Sequence, residues 1–159
     1  AQKYIRGSYT VIQDADLEYD PRDLIKMYKT MVIKNYRALY GSRVLNKNKY
    51  ENTKNFTHLI RIWGNMYLTK ISNIINNQNL TDAHTCYKMF QSKVFKKINL
   101  REKGFAFCPE VTTKLSKKNY KIIEIPISYK GRTYSKGKKI TSLDGVIALI
   151  CLIKYRFVN

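Results

Sequence analysis

Apolar residues change their spacing along this chain, and each change predicts an element. Tyr9 to Ile12 is a short β-prone run and reads as a buried strand. Pro21 suits a first helical turn, and Leu24, Ile25, Tyr28, Met31 and Val32 then recur at helical spacing, predicting a helix to about Asn35. Arg37 to Tyr40 reads as a second strand running into Gly41-Ser42-Arg43. Strand, helix, strand is the order of a βαβ unit, so the loop after the second strand is expected on the same sheet edge as the end of the first.

Lys47 to Asn55 is polar, without periodicity, and reads as a surface loop. Phe56, Leu59, Ile60, Trp63, Met66, Tyr67, Ile71, Ile74 and Ile75 mark one face of a long helix, and that face is expected to pack on the core. Arg61 and Asn65, spaced i, i+4, share a face offset from this stripe and are candidates to point into a cleft. Thr85 to Phe90 is β-prone and precedes a short helix around Ser92 to Ile98. Phe107 to Leu115 reads as a helix in which Glu110 suits the positive end of the dipole, and Tyr120 to Tyr129 alternates like a strand. A basic loop, Gly131 to Lys139, leads to a last helix from about Ser142 to Arg156. There Val146, Leu149, Ile150 and Ile153 are expected to pack on the core, with a membrane surface as the alternative.

Composition narrows the class. At 159 residues, 44% hydrophobic and 13% aromatic, the chain suits one domain and is not a disordered tail. Thirty Lys and Arg against eleven Asp and Glu give a formal net charge of +19, which favours phosphate-bearing partners: nucleic acid, anionic lipid headgroups or nucleotide-sugars. Cys86, Cys108 and Cys151 are far apart and read as buried thiols of a reducing compartment, while His58 and His84 lack the spacing of a zinc site. No run approaches the apolar length of a membrane-spanning helix.

Against that basic background the acids of Asp14-Ala15-Asp16-Leu17-Glu18-Tyr19-Asp20-Pro21 are concentrated at the carboxyl end of the first strand, where open α/β sheets bind ligands. Asp14 and Asp16 can both reach one hard cation. Mg²⁺ or Mn²⁺ takes carboxylate, water and phosphate oxygens, so two aspartates and a nucleotide diphosphate form a plausible coordination shell. The loop Gly131-Arg132-Thr133-Tyr134-Ser135-Lys136-Gly137-Lys138-Lys139 has glycines for flexibility, hydroxyls for hydrogen bonds and four cations within eight residues.

The ordered set of that acidic run, Gly41-Ser42-Arg43, Arg61-x-x-Gly64-Asn65, Leu80-Thr81-Asp82-x-x-Thr85-Cys86-Tyr87, Gly104-Phe105-x-Phe107 through Glu110-Val111, Ile125-Pro126-Ile127-Ser128-Tyr129 and Gly131-Arg132-Thr133-Tyr134 resembles family 2 glycosyltransferases of the dolichyl-phosphate mannosyltransferase type. The match runs from about Tyr9 to Phe157. It implies an α/β, GT-A (Rossmann-like) fold with a mixed central sheet flanked by helices. It also implies inverting, metal-dependent transfer of a sugar from a GDP- or UDP-linked donor to a polyprenyl phosphate, at the cytoplasmic face of a membrane and in peripheral contact with it.

By that likeness Asp14 and Asp16 hold the metal, with Glu18 where the family places a third polar contact, often Gln. Arg43 and Arg61 hold phosphates, Asn65 is a small polar contact, and Arg132 and Lys138 come from a loop that closes over donor and acceptor phosphates. Asp82 stands where related enzymes with hydroxyl acceptors carry a base. For an acceptor that is already a phosphate anion, base, acceptor positioning and structural cap all remain open. The resemblance also predicts a departure: the strand-loop-helix half that binds base and ribose has no counterpart before Tyr9. The chain is therefore expected to be one partial domain over 1–159, lacking about two βα units, roughly 70 residues. In isolation it is expected to be weakly stable and to have little or no activity. A family 2 enzyme acting on a saccharide or other hydroxyl acceptor is one alternative. A basic nucleic-acid-binding domain is another, disfavoured because no RNP-like or zinc-finger signature is present.

Overall fold

A computed structural model describes residues 2–45, 56–131 and 142–158, and the side chains of 56–61 and 142 are outside the description. Its strands are β1 (Tyr9–Ile12), β2 (Ala38–Ser42), β3 (Lys88–Gln91) and β4 (Ile122–Pro126). Its α-helices are α1 (Arg22–Ile33), α2 (Phe56–Asn76), α3 (Ser92–Phe95), α4 (Phe107–Lys117) and α5 (Ser142–Phe157). The sheet order is β1-β3-β2-β4, with β3 antiparallel to both β1 and β2 and β4 parallel to β2. The first two strands thus run in the same direction, and their carboxyl ends open on one edge, as the strand-helix-strand pattern predicts. They are not neighbours, because β3 is inserted between them and brings the residues just before Lys88 to that edge.

Strand alternation sorts the core into two layers. Leu39, Met89 and the partly buried Ile123 and Ile125 join Met27 and Met31 of α1 on one face. Ala38, Tyr40, Phe90 and Ile122 join Val94, Phe95, Val111 and Leu115 on the other. The sheet is therefore mixed and covered on both sides. Gly41 is required by close approach: a Cβ there would lie 2.7 Å from Ile127 Cγ2. The chain's asparagines find a use at helix ends. Asn35, Asn77 and Asn119 adopt positive φ just beyond α1, α2 and α4, the left-handed stop that Asn tolerates better than most side chains.

The two apolar helices do not face as their sequences suggest. Along α2 the buried residues include Thr69, Ser72 and Asn76, whereas Trp63 is 70% and Ile74 82% exposed, and Met66 and Tyr67 are also on the outside. The cause is a seam of polar contacts. Thr69 Oγ1 accepts from the Ala83 amide (3.2 Å), Asn73 accepts from and donates to the backbone of Leu80 (2.9 and 2.8 Å), and Asn76 Nδ2 donates to Thr113 of α4 (3.2 Å). Helix α5 likewise buries Ala148, Cys151, Leu152 and Tyr155 and leaves Val146, Ile150 and Ile153 exposed. Among the described side chains, most of the face expected to pack on the core points outward on both helices, with Ile71, Ile75 and Leu149 half-buried at its margin.

Candidate functional site

The sheet edge where β1, β2 and β4 end gathers most of the predicted residues that the structure describes. After β1 the chain turns through Asp14 and Asp16 to Leu17, which is 94% exposed and has φ 61°, an unfavourable conformation for a branched apolar residue. Asp16 Oδ1 accepts the Glu18 amide at 3.1 Å and closes this turn. Asp14 remains exposed, and its carboxylate hydrogen-bonds Cys86; burial first, and that contact next, push the Cys86 thiol up.

Glu18 behaves differently from its two neighbours. It is buried, its Oε2 accepts the Tyr129 hydroxyl at 2.6 Å, and its carbonyl accepts the Lys130 amide at 2.8 Å. Tyr19 and Tyr129 form an antiparallel bridge, and the Tyr19 hydroxyl accepts the Cys86 amide at 3.0 Å. Among the described residues no three His, Cys, Asp or Glu side chains form a group that could hold a metal ion. What the turn offers a hard cation is the aspartate pair, a donor set that fits Mg²⁺ or Mn²⁺ when phosphate and water oxygens supply the remaining positions.

The second half of the site is built on a buried carboxylate. Asp82 is wholly buried in the turn before β3. Its Oδ2 accepts Arg43 Nε at 2.6 Å and the Arg43 amide at 3.2 Å, while Oδ1 accepts Arg43 Nη2 at 2.8 Å and Asn65 Nδ2 at 3.1 Å. Burial alone would raise its pKa, but the Arg43 charge and these hydrogen bonds outweigh burial and hold it at about 2. Asp82 is therefore an anion at any physiological pH, and its oxygens are committed to holding Arg43 and Asn65. Arg43 also lies over the ring of Tyr129, 5.1 Å from its centroid, so the tyrosine whose hydroxyl donates to Glu18 supports the guanidinium with its face.

Asn65 thus points from α2 into the site, as its offset from the apolar stripe suggests. Arg61 lies one turn earlier in α2, and its side chain is outside the described residues, as are Arg132 and Lys138. Glu124, which sequence reasoning passed over, carries the turn that holds Asp82. Its Oε2 accepts the Thr81 amide at 2.6 Å and the Thr81 hydroxyl at 2.9 Å, and its Oε1 accepts the Asp82 amide at 2.9 Å. A signal was present: on β4 it shares a face with Ile122, where a carboxylate is tolerated only if it finds donors.

Residues 1–99, more than half of the chain, match the sequence model of glycosyl transferase family 2. The chain belongs to glycosyltransferase family 2. Its mixed sheet between helices is consistent with the GT-A-like Rossmann arrangement. It is 27% identical over 142 residues to an uncharacterized protein of Methanocaldococcus jannaschii, covering 88% of this chain and 57% of that one. It is 25% identical over 134 residues to the UDP-N-acetylglucosamine–dolichyl-phosphate N-acetylglucosaminyltransferase of Methanococcus voltae, covering 83% and 52%. Over 144 residues it is 24% identical to the undecaprenyl-phosphate mannosyltransferase of Micrococcus luteus, covering 88% and 57%. This family 2 chain spans about half the length of these relatives.

Proposed function

We propose that this chain is the phosphate-handling part of a family 2 glycosyltransferase that transfers a sugar, with inversion, from a nucleotide-sugar to a polyprenyl phosphate. The observation that carries the reading is Arg43, held bidentately by the buried carboxylate of Asp82, to which Asn65 also donates, at the same sheet edge as Asp14 and Asp16. A guanidinium fixed in this way is oriented before any anion arrives, so little ordering is left for binding to supply. Two of the relatives, those of Methanococcus voltae and Micrococcus luteus, carry polyprenyl-type phosphates in their names.

In this reading an oxygen of the acceptor phosphate forms a bond to the anomeric carbon as the bond from that carbon to the donor's distal phosphate oxygen breaks. The nucleoside diphosphate leaves with the electron pair. The acceptor is already an anion, so no proton needs to be removed from it. Asp82, held near pKa 2 and enclosed by donors, acts as a positioning residue for Arg43 and not as a base. A divalent cation, when bound, would be held by Asp14 and Asp16 and would offset charge on the departing diphosphate. Arg61, Arg132 and Lys138 complete the phosphate contacts in this proposal, and Glu18 acts through Tyr129.

The outward faces of α2 and α5 support peripheral contact with a bilayer, which this reading places at the cytoplasmic face. Trp63, Met66 and Tyr67 on one helix and Val146, Ile150 and Ile153 on its packed neighbour are exposed, on a chain of net charge +19. Large apolar and interfacial aromatic side chains on a strongly cationic protein suit an anionic headgroup layer. No helix of the described residues is long and apolar enough to cross a membrane. The test is sugar transfer from GDP- and UDP-linked donors to polyprenyl phosphate in Mg²⁺ or Mn²⁺, using the chain together with whatever its reading frame supplies on either side. A sugar-phosphate-lipid product lost in Arg43→Ala is the expected result. Transfer to a saccharide but never to the lipid phosphate would overturn the acceptor assignment.

A further inference from the structure

Arg43 is oriented by Asp82, and Asp82 is in turn oriented by the backbone on which it sits. That backbone is fastened from below. Glu124 stands opposite Tyr40 in the parallel pairing of β2 and β4, half-buried. Its carboxylate reaches the Thr81-Asp82 turn, where two peptide N–H groups and one hydroxyl donate to it. The Thr81 hydroxyl also meets Ser42 Oγ at 2.6 Å, and Ser42 Oγ accepts the amides of Val44 and Leu45, both at 3.2 Å. The chain leaving β2 and the turn leading to β3 are therefore joined at Thr81, the residue next to Asp82.

We infer that Glu124 is a positioning residue for the phosphate site: it fixes the Thr81-Asp82 turn so that the Asp82 carboxylate presents Arg43 and Asn65 in one geometry. The inference rests on the reading of Arg43 as a phosphate ligand. Its chemistry favours carboxylate over amide. A glutamate offers only acceptors, matching two N–H groups and a hydroxyl, whereas the amide nitrogen of a glutamine in the same place would confront a backbone donor. Two carboxylates so close together repel each other, and the arrangement persists because each is separately satisfied: Asp82 by Arg43 and Asn65, Glu124 by the turn.

Glu110 provides the comparison. It is another buried carboxylate accepting backbone amides, those of Arg101 and Glu102, and it pairs with Lys114 of its own helix. Its contacts hold α4 and the preceding loop and do not include Arg43 or Asp82. Loss of Glu110 should lower stability alone, whereas loss of Glu124 should also disturb the anion site.

The experiment measures inorganic pyrophosphate affinity by calorimetry at physiological ionic strength, with a thermal melt of every variant. Glu124→Gln should weaken pyrophosphate roughly tenfold, the scale of one lost charge-assisted hydrogen bond. Added to Asp82→Asn it should weaken binding little further, since both act through the same carboxylate. Glu110→Gln should lower the melting temperature and leave affinity unchanged. Thr81→Val, which removes the hydroxyl shared with Ser42, should weaken binding roughly threefold, and it decides the matter if Glu124→Gln does not fold. Unchanged affinity in the folded Glu124 variant (or in Thr81→Val, if that variant must stand in), additive losses in the double variant, or an equal loss in Glu110→Gln would each overturn the inference. If the parent chain does not bind pyrophosphate, or binds it equally with Arg43→Ala, the phosphate reading of Arg43 itself fails.

Discussion

Arg43 meets Asp82 side-on, with Nε and Nη2 2.6 and 2.8 Å from the two carboxylate oxygens and the aspartate wholly buried. Breaking such a pair from one side leaves a charge with little water to receive it. Asp82→Asn is expected to destabilise the fold by about 3 kcal/mol, read by urea unfolding. The acid limb follows from the direction of the shift. Because the folded-state pKa of Asp82 is held at about 2, below the unfolded value of 3.8, its contribution is present above pH 4 and is lost as pH falls toward 2.

His84 acts at a higher pH. Burial, and then the nearby charge of Lys88, lower its pKa from 6.5 to about 4, and its Nε2 is buried without a hydrogen-bond partner. Between those values the unfolded chain carries the extra proton, so acid favours unfolding. Stability should fall by roughly 3 kcal/mol from pH 7 to 4 through this group alone. His84→Gln should flatten that part of the pH–stability curve. An unchanged slope would show that another group titrates there.

Gly41 tests the packing beneath the site. A methyl group there must displace the buried Ile127 side chain. Gly41→Ala should cost about 1–3 kcal/mol, and combining it with Ile127→Val should recover part of the loss in a chemical melt.

The aspartate pair is tested by chelation. Nucleoside diphosphate affinity should fall when EDTA removes Mg²⁺ or Mn²⁺. Asp14→Asn and Asp16→Asn should each make affinity insensitive to the metal, while Glu18→Gln, whose target is Tyr129, should preserve most of the metal response. A Glu18 variant as insensitive as the aspartate variants would return Glu18 to the cation.

The outward face of α2 predicts a separation between stability and lipid binding. Trp63→Asp with Tyr67→Asp should shift folding stability by no more than about 0.5 kcal/mol per site. The same pair should reduce binding to anionic phospholipid vesicles at least roughly tenfold. Ser72→Leu, on the buried seam, should do the opposite.

The strands and helices were legible because alternation and helical spacing are local properties of the chain. The acids at the end of β1 and the offset of Asn65 from the stripe of α2 were legible for the same reason, and both lie at the sheet edge. The direction of that stripe was not. Periodicity shows that Trp63, Met66 and Ile74 share a side, but which side meets protein depended on Ala83, Leu80 and Thr113 offering polar partners to the other face. The placement of β3 between β1 and β2 and the grip of Glu124 on Thr81 are likewise long-range facts. The alternation of β4 marks Glu124 as a carboxylate in need of donors, but nothing within a few residues says that Thr81 and Asp82 supply them.

The bridge between Tyr19 and Tyr129 carries a mechanical implication. It splices the acidic turn to the strand-like segment that runs on toward Arg132, and the Glu18 carbonyl with the Lys130 amide adds a second stitch. A turn that tightens around a charge cannot do so without drawing on the backbone at 128–130. By reciprocity, whatever engages the chain just beyond Gly131 and pulls on that backbone would change the affinity of the turn for its own ligand by the same factor. The acidic turn and the backbone at 128–130 are thus geared together through a pair of tyrosines.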